Sequence, residues 1–152
     1  MVVVYCLPPT YDEAGARPNI AHNRIFPLRV VDVPCVLVVD DDPDIRRMLE
    51  DVLTDEGHQV RVASNGREAL AFVEHQAVDL ILLDLMMPVM DGPAFYQAYR
   101  ARVDNDPERA PVVVISADRN VREQAAQLGV DSYLTKPFDL DALLDQVERF
   151  TA

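Results

Sequence analysis

From residue 36 onwards, short apolar runs alternate with segments in which apolar residues recur every three or four positions. The short runs are typical of strands buried on both faces, and the longer segments are typical of helices with one apolar side. In the first such segment the apolar positions are Ile45, Met48, Leu49, Val52 and Leu53. The pattern predicts strands at about 36–39, 59–63, 80–83, 111–116 and 132–135, and helices at about 44–56, 67–75, 93–102, 119–128 and 140–150.

Five strands alternating with five helices predict an α/β fold in which a parallel sheet is covered on both faces. For about 117 residues we expect a flavodoxin-like (βα)5 doubly wound parallel sheet with strand order 2-1-3-4-5. In that order the first and third strands are neighbours. Their carboxyl ends form the point at which open α/β sheets bind ligands.

Residues 1–34 differ from the rest of the chain. They contain five of the eleven prolines and have no sustained period, so we interpret them as an irregular or disordered extension of a domain at 35–152. A short strand at 2–6 that docks on the domain, or a translation start placed too early, are the alternatives. Because the chain ends two residues after Phe150, we expect a single-domain protein without an output or DNA-binding domain.

The formal net charge is −12, and residues 1–34 are neutral, so the whole acidic excess lies in the remainder. Such a surface disfavours direct nucleic-acid binding, which depends on Lys and Arg neutralising phosphates. No apolar run approaches the roughly 20 residues of a membrane span, and the start lacks a basic region typical of a signal peptide. Two cysteines are too few for a disulfide framework. We therefore predict a cytoplasmic protein.

Aspartates follow two of the predicted strands directly. Asp40, Asp41 and Asp42 follow the first strand, and Asp84 follows the third. If these strands are neighbours, the carboxylates crowd together, and each pair at about 4 Å costs on the order of 4 kcal/mol at an effective dielectric near 20. Oxygen ligands of this kind suit Mg²⁺, so the sequence predicts a magnesium site at this edge. Helix capping is the alternative for these residues, and we expect it in part for Asp42.

Two further polar residues end the remaining strands of the predicted edge. Ser116 ends the fourth strand, and Lys136 follows the fifth. Lys136 is the only lysine among fourteen basic residues, so a blind assignment would place it here about one time in fourteen. A compact ammonium suits a point contact to a carboxylate or phosphate oxygen. Alone, Ser116 carries no signal and Lys136 would be a solvated charge, so the prediction depends on their combination with the aspartates.

Four segments carry a resemblance to a known family: VLVVDDDP at 36–43, DLMMPVMDG at 84–92, ISA at 115–117 and LTKPF at 134–138. Together they resemble the receiver domain of two-component response regulators, over about residues 35–150. The resemblance implies that Asp84 takes a phosphoryl group from a sensor histidine kinase or a histidine phosphotransfer protein. It also implies that Asp41, Asp84 and the backbone carbonyl of Met86 hold Mg²⁺, with Asp40 acting through a bound water.

The resemblance assigns three further roles. Lys136 is expected to contact a phosphoryl oxygen, and Ser116 to bond another after phosphorylation. Tyr133 matches an aromatic switch residue, although it could equally be an ordinary aromatic on the sheet. The downstream protein partner is expected on the face made by the fourth helix, fifth strand and fifth helix.

Other functions compete with this hypothesis. A receiver-shaped interaction module that is never phosphorylated is the main alternative. A Mg²⁺-dependent phosphatase is disfavoured because Met86 stands where such enzymes need a second acid. We therefore expect a signalling domain with self-assisted phosphoryl transfer and autodephosphorylation, and no conventional enzyme. Met86 and Asp118, two positions beyond Asp84 and Ser116, leave the phosphoryl lifetime open.

Overall fold

A computed structural model describes residues 32–152 of the chain. The predicted extension at 1–34 lies almost entirely outside these residues and stays a prediction. The strands are β1 (Cys35–Val39), β2 (Gln59–Ala63), β3 (Leu80–Asp84), β4 (Val112–Ser116) and β5 (Ser132–Thr135). The helices are α1 (Pro43–Asp55), α2 (Gly66–His75), α3 (Gly92–Val103), α4 (Val121–Leu128) and α5 (Leu140–Thr151).

The five strands form one parallel sheet in the order β2-β1-β3-β4-β5, which confirms the predicted α/β topology. The register aligns the carboxyl ends of the strands. Val39 pairs with Leu83 of β3, and the last residue of β4, Ser116, pairs with the last residue of β5, Thr135. Residues that follow these strands therefore lie at one edge of the sheet.

Alternate strand residues pack into two apolar layers, one on each face of the sheet. Because β1 and β3 are central, their side chains are buried on both faces, as the continuous apolar runs predict. Complete burial of each such side chain contributes about 1.5–3 kcal/mol. The layer under α1 and α5 includes Val36, Val38, Leu49, Leu53, Leu80, Leu82, Leu143 and Val147. The layer under α2 and α3 includes Leu37, Val39, Ala69, Ile81, Leu83, Phe95, Tyr96 and Tyr99.

Two details of the predicted helices are wrong. Met48, counted in the apolar pattern of the first helix, is 39% exposed because it lies at the margin of the apolar stripe of α1. The fourth helix begins at Val121 and not at 119, because residues 118–120 form a turn in which Val121 N–H donates to the Asp118 carbonyl.

The helices begin at the same edge at which the strands end, and side chains cap several of them there. Asp42 is the N-cap of α1, and its Oδ1 accepts hydrogen bonds from the backbone N–H groups of Asp44 (2.8 Å) and Ile45 (3.4 Å). The expected capping role of Asp42 is confirmed. Within residues 32–152, no helix has the length and apolar character needed to cross a membrane.

Val89 is the one residue other than glycine with positive φ in the part of the chain that the structure describes. Its φ is 70°, in the loop between β3 and α3, and its side chain is 72% exposed. For a β-branched residue this left-handed conformation costs about 1–2 kcal/mol. Because the side chain is exposed, burial does not repay that cost.

Replacing Val89 with glycine should therefore stabilise the protein. Glycine adopts positive φ without strain, but it also adds conformational entropy to the unfolded chain, which offsets part of the gain. We therefore expect the free energy of unfolding to rise by about 1 kcal/mol. Urea unfolding measures the change in the free energy of unfolding. Val89→Ala is the matched control, since it keeps a Cβ and most of the strain. A Val89→Gly protein no more stable than Val89→Ala would contradict the strain argument.

Candidate functional site

The structure brings the predicted acidic residues together at the carboxyl edge of the sheet. Asp40 and Asp41 follow β1 directly, and Asp84 is the last residue of β3. One carboxylate oxygen from each of the three lies within 4.8 Å of the others. Asp40 and Asp84 are buried, whereas Asp41 is exposed. The predicted convergence of these carboxylates is therefore present in the fold.

Asp40 is held at all four of its backbone and side-chain polar groups. Its N–H donates to the Ala63 carbonyl of β2 (3.1 Å), and its own carbonyl accepts from Arg46 Nη1 (2.6 Å). Oδ1 accepts from the backbone N–H of Asp42 (2.9 Å), and Oδ2 accepts from Lys136 Nζ (2.6 Å). A buried carboxylate needs such partners, and Asp40 has one for each oxygen.

Lys136 reaches back across the sheet edge from the end of β5. Its Nζ lies 2.6 Å from Asp40 Oδ2 and 3.7 Å from Asp84 Oδ2. Its backbone N–H donates to the carbonyl of Ser116 (2.8 Å), which ties the ends of β4 and β5 together. The peptide bond to Pro137 is cis. The only lysine of the chain is thus the counter-charge of the acidic cluster.

The environment of Asp84 makes its ionisation costly. Burial raises the pKa of Asp84 to about 6, and the negative charges of Asp40 and Asp41 add to the effect. The positive charge of Lys136 and a hydrogen bond from the Met86 N–H (3.4 Å) lower this pKa but do not restore it. Lys136 therefore compensates the cluster only in part.

Ser116 and Tyr133 lie on the strands that flank this cluster. Ser116 is buried, and its Oγ accepts a hydrogen bond from the Asp118 N–H (3.2 Å). The Asp118 carboxylate in turn accepts from the Asn120 N–H (2.8 Å) and from Gln124 Nε2 (3.0 Å). Tyr133, opposite Val114 in the strand register, is 37% exposed. Ser116 thus adjoins the cluster, whereas the Tyr133 ring reaches the surface.

The loop from β3 to α3 forms one wall of the site. Met86 is largely exposed, two residues beyond Asp84, and an open depression of about 370 Å³ lies beside it. Gly92 allows the loop to close, because its N–H donates to the Leu85 carbonyl (3.0 Å) and a Cβ there would stand 2.7 Å from Leu85 Cα. The depression is lined by Asp41, Leu85, Met86, Met87, Pro88 and Asp91.

The donor set of this cluster fits Mg²⁺. Three carboxylates within reach of one ion supply the hard oxygen ligands that Mg²⁺ prefers. Burial and the neighbouring carboxylates raise the pKa of Asp84, and a bound cation would oppose both effects because its positive charge favours the ionised carboxylates. The Asp41 carboxylate is exposed, so an ion held by this cluster would have room for water or other oxygen ligands.

Two elements of the site escaped the sequence analysis. Arg46, on α1, bonds the Asp40 carbonyl, yet fourteen basic residues give no reason to single it out. Gln124, on α4, holds the carboxylate of Asp118, although the two are six residues apart. The sequence already marked Asp118 by its distance from Ser116, but no pattern along the chain indicated its partner Gln124.

Comparison with known proteins identifies relatives of this chain. The model of the response regulator receiver domain family matches residues 36–148. The transcriptional regulatory protein PrrA of Mycobacterium tuberculosis is 44% identical over 117 residues, which are 76% of this chain and 48% of PrrA. The transcriptional regulatory protein TcrA of the same species is 37% identical over 132 residues, 86% of this chain and 48% of TcrA. The chain spans about half the length of the curated relatives it matches.

Solved structures show the same similarity. The receiver domain of the Francisella response regulator 1452 has a TM-score of 0.70 and 33% identity, covering 78% of this chain and 96% of that one. The response regulator TrrA of Thermotoga maritima, solved in complex with Mg(2+)-BeF, has a TM-score of 0.70 and 30% identity. That match covers 78% of this chain and 99% of the TrrA chain.

The raised pKa of Asp84 predicts a pH-dependent stability in the absence of metal. The folded state holds the Asp84 proton up to about pH 6, whereas the unfolded chain releases it near 3.8. Raising the pH through this window should therefore lower the free energy of unfolding of the wild type by up to about 3 kcal/mol. Asp84→Asn has no such carboxylate and should not show this loss. Urea unfolding of both proteins in EDTA, from about pH 4 to about pH 8, measures the difference.

Asp145→Asn, on the exposed side of α5, is the control, because it removes an exposed carboxylate that is not part of the cluster. The difference between Asp145→Asn and the wild type in the free energy of unfolding should be nearly constant over the same pH range. Saturating Mg²⁺ should reduce the advantage of Asp84→Asn at the upper end of the range. A stability difference between Asp84→Asn and the wild type that does not change with pH would refute this interpretation of Asp84.

Proposed function

The chain belongs to the response regulator receiver domain family, and from that premise we propose that it is a phosphoacceptor switch of a two-component phosphorelay. Asp84 would take the phosphoryl group from a sensor histidine kinase or a histidine phosphotransfer protein. One observation carries the proposal: the buried Asp84 lies beside two further carboxylates and within 3.7 Å of the only lysine. Family membership places the chain among signalling proteins.

The proposed transfer uses the groups at the carboxyl edge. An Asp84 carboxylate oxygen forms the new O–P bond, the N–P bond of the donor phosphohistidine breaks, and the released imidazole nitrogen takes a proton from water. In such transfers the protein mainly aligns the reacting groups and neutralises their charge. Lys136 already lies beside the acceptor carboxylate, so its ammonium can contact an incoming phosphoryl oxygen.

Magnesium is part of the proposal. Asp41, Asp84 and the backbone carbonyl of Met86 would hold the ion, and Asp40 would act through a bound water. When bound, Mg²⁺ offsets the negative charge of the phosphoryl oxygens. The complex of Thermotoga TrrA with Mg(2+)-BeF supports the same metal for this chain.

The proposed signal leaves the site through Ser116. Its hydroxyl would move to donate to a phosphoryl oxygen after transfer, and that movement would break the bond that it now accepts from the Asp118 N–H. Because Asp118 also binds Asn120 and Gln124, that change would reach the start of α4. The exposed Tyr133 would turn inward, which would alter the α4-β5-α5 face where we place the downstream partner.

The proposal also concerns the role of this chain relative to its longer relatives. PrrA and TcrA are named as transcriptional regulators, and this chain matches about half of each. The matched region is acidic and contains the whole proposed phosphoacceptor site, so we assign it the switching role and no direct contact with nucleic acid. Action as a stand-alone domain and a cytoplasmic location stay predictions.

Phosphorylation by a small donor tests the function directly. With Mg²⁺ and acetyl phosphate, the wild type should gain the mass of one phosphoryl group, because the site assembles its own charge neutralisation. Asp84→Asn should gain none, and Lys136→Met should be labelled at least about tenfold more slowly because a charge that acts in the transition state is lost. Intact-mass spectrometry measures the labelled fraction over time.

Asp145→Asn controls for removal of a surface carboxylate and should be labelled like the wild type. A wild type that stays unlabelled while a known receiver is labelled would refute the proposal and favour the unphosphorylated interaction module. Labelling that persists in Asp84→Asn would move the acceptor to another residue. Sustained turnover of phosphate esters would instead identify a phosphatase.

A further inference from the structure

Arg46 makes a contact that no part of the proposed phosphoryl transfer uses. It lies on α1, four residues beyond the N-cap Asp42, and its Nη1 donates to the backbone carbonyl of Asp40 at 2.6 Å. We propose that Arg46 is a positioning residue that holds the peptide unit between Asp40 and Asp41 and thereby sets the place of the Asp41 carboxylate in the acidic cluster. The inference rests on the proposed function and adds a residue to its site.

Asp41 depends on its backbone for orientation. It is exposed, and its side chain has no hydrogen bond or ion pair with any other residue in 32–152. Asp40 and Asp84, by contrast, are buried and contact Lys136. The carbonyl of Asp40 and the N–H of Asp41 belong to one planar peptide unit, so fixing the first constrains the position of the second residue.

The end of β1 lacks another anchor at this carbonyl. The N–H of Asp40 bonds to β2, but the sheet ladder stops at Val39, and the carbonyl of Asp40 has Arg46 as its partner among the described residues. A hydrogen bond from a charged guanidinium is about twice as strong as one between neutral groups. The helix that carries Arg46 is itself fixed by the Asp42 cap, so the donor is held in place.

The carboxylate of Glu68, on α2, lies near Arg46. It accepts hydrogen bonds from the backbone N–H and the side chain of Ser64, both at 2.8 Å. These bonds lower the pKa of Glu68, and the positive charge of Arg46 lowers it further. Arg46 thus stands between the β2–α2 turn and the end of β1, and it brings a permanent positive charge toward the acidic cluster.

The chain provides a matched control in the next residue. Arg47 has the same side chain on the same helix, but that side chain is exposed and makes no hydrogen bond or ion pair within residues 32–152. Arg46→Met and Arg47→Met remove the same charge and keep similar bulk. A difference between them therefore reports the contact to the Asp40 carbonyl and not the net charge of the protein.

Calorimetric titration with Mg²⁺ alone, without a phosphoryl donor, tests the inference. Arg46→Met should bind Mg²⁺ about tenfold more weakly than Arg47→Met, the loss typical when a residue that orients a ligand is removed. Arg46→Lys keeps the charge and a donor and should recover most of the affinity. With acetyl phosphate, the Mg²⁺ concentration for half-maximal labelling of Arg46→Met should rise about tenfold, while the rate at saturating Mg²⁺ stays within about twofold of Arg47→Met.

Three results would overturn the inference. Equal Mg²⁺ affinities of Arg46→Met and Arg47→Met would show that the contact does not position a ligand. A circular-dichroism spectrum of Arg46→Lys matching the wild type, together with affinity as weak as that of Arg46→Met, would show that a charged donor at this position is not what matters. A wild type that binds no Mg²⁺ would overturn the proposed function along with this inference, whereas normal wild-type binding confines the failure to Arg46.

Discussion

The crowding of like charges at the carboxyl edge of the sheet is the constraint on which this site depends. Asp40, Asp41 and Asp84 lie within reach of one ion, and two of them are buried. Lys136 contacts Asp40 at 2.6 Å and Asp84 at 3.7 Å, yet the pKa of Asp84 is still raised to about 6. One ammonium is insufficient for three carboxylates, so the folded protein retains an unfavourable charge distribution that a divalent cation can relieve.

The burial of apolar side chains in the sheet offsets the unfavourable energy of crowding the carboxylates at its edge. The strand before Asp40 and the strand that ends in Asp84 are buried on both faces, and each buried apolar side chain contributes about 1.5–3 kcal/mol. Parallel pairing places their carboxyl ends side by side without any contribution from the aspartates themselves. Around that edge the chain tolerates strain, as the positive φ of Val89 shows.

The strands, the helices and the identity of the acidic residues were predictable because each depends on local order in the chain. Val and Leu runs define buried strands, three- and four-residue spacing defines helices, and Asp42 before Pro43 predicts a cap that the structure confirms. Contacts between distant side chains were not predictable in this way. The bond from Arg46 to the Asp40 carbonyl and the bond from Gln124 to Asp118 depend on where a helix lies over a strand end.

The sequence by itself determined which chemical groups the site contains: aspartates after the first and third strands, a serine at the end of the fourth and the only lysine after the fifth. It could do so because apolar periodicity fixes the strands, and strand ends then mark the edge. Only the tertiary structure decided the environment of each carboxylate. Both oxygens of Asp40 are hydrogen-bonded, Asp84 is buried with a raised pKa, and Asp41 is exposed. Burial and distance between remote residues set these properties, and neither is encoded in local spacing.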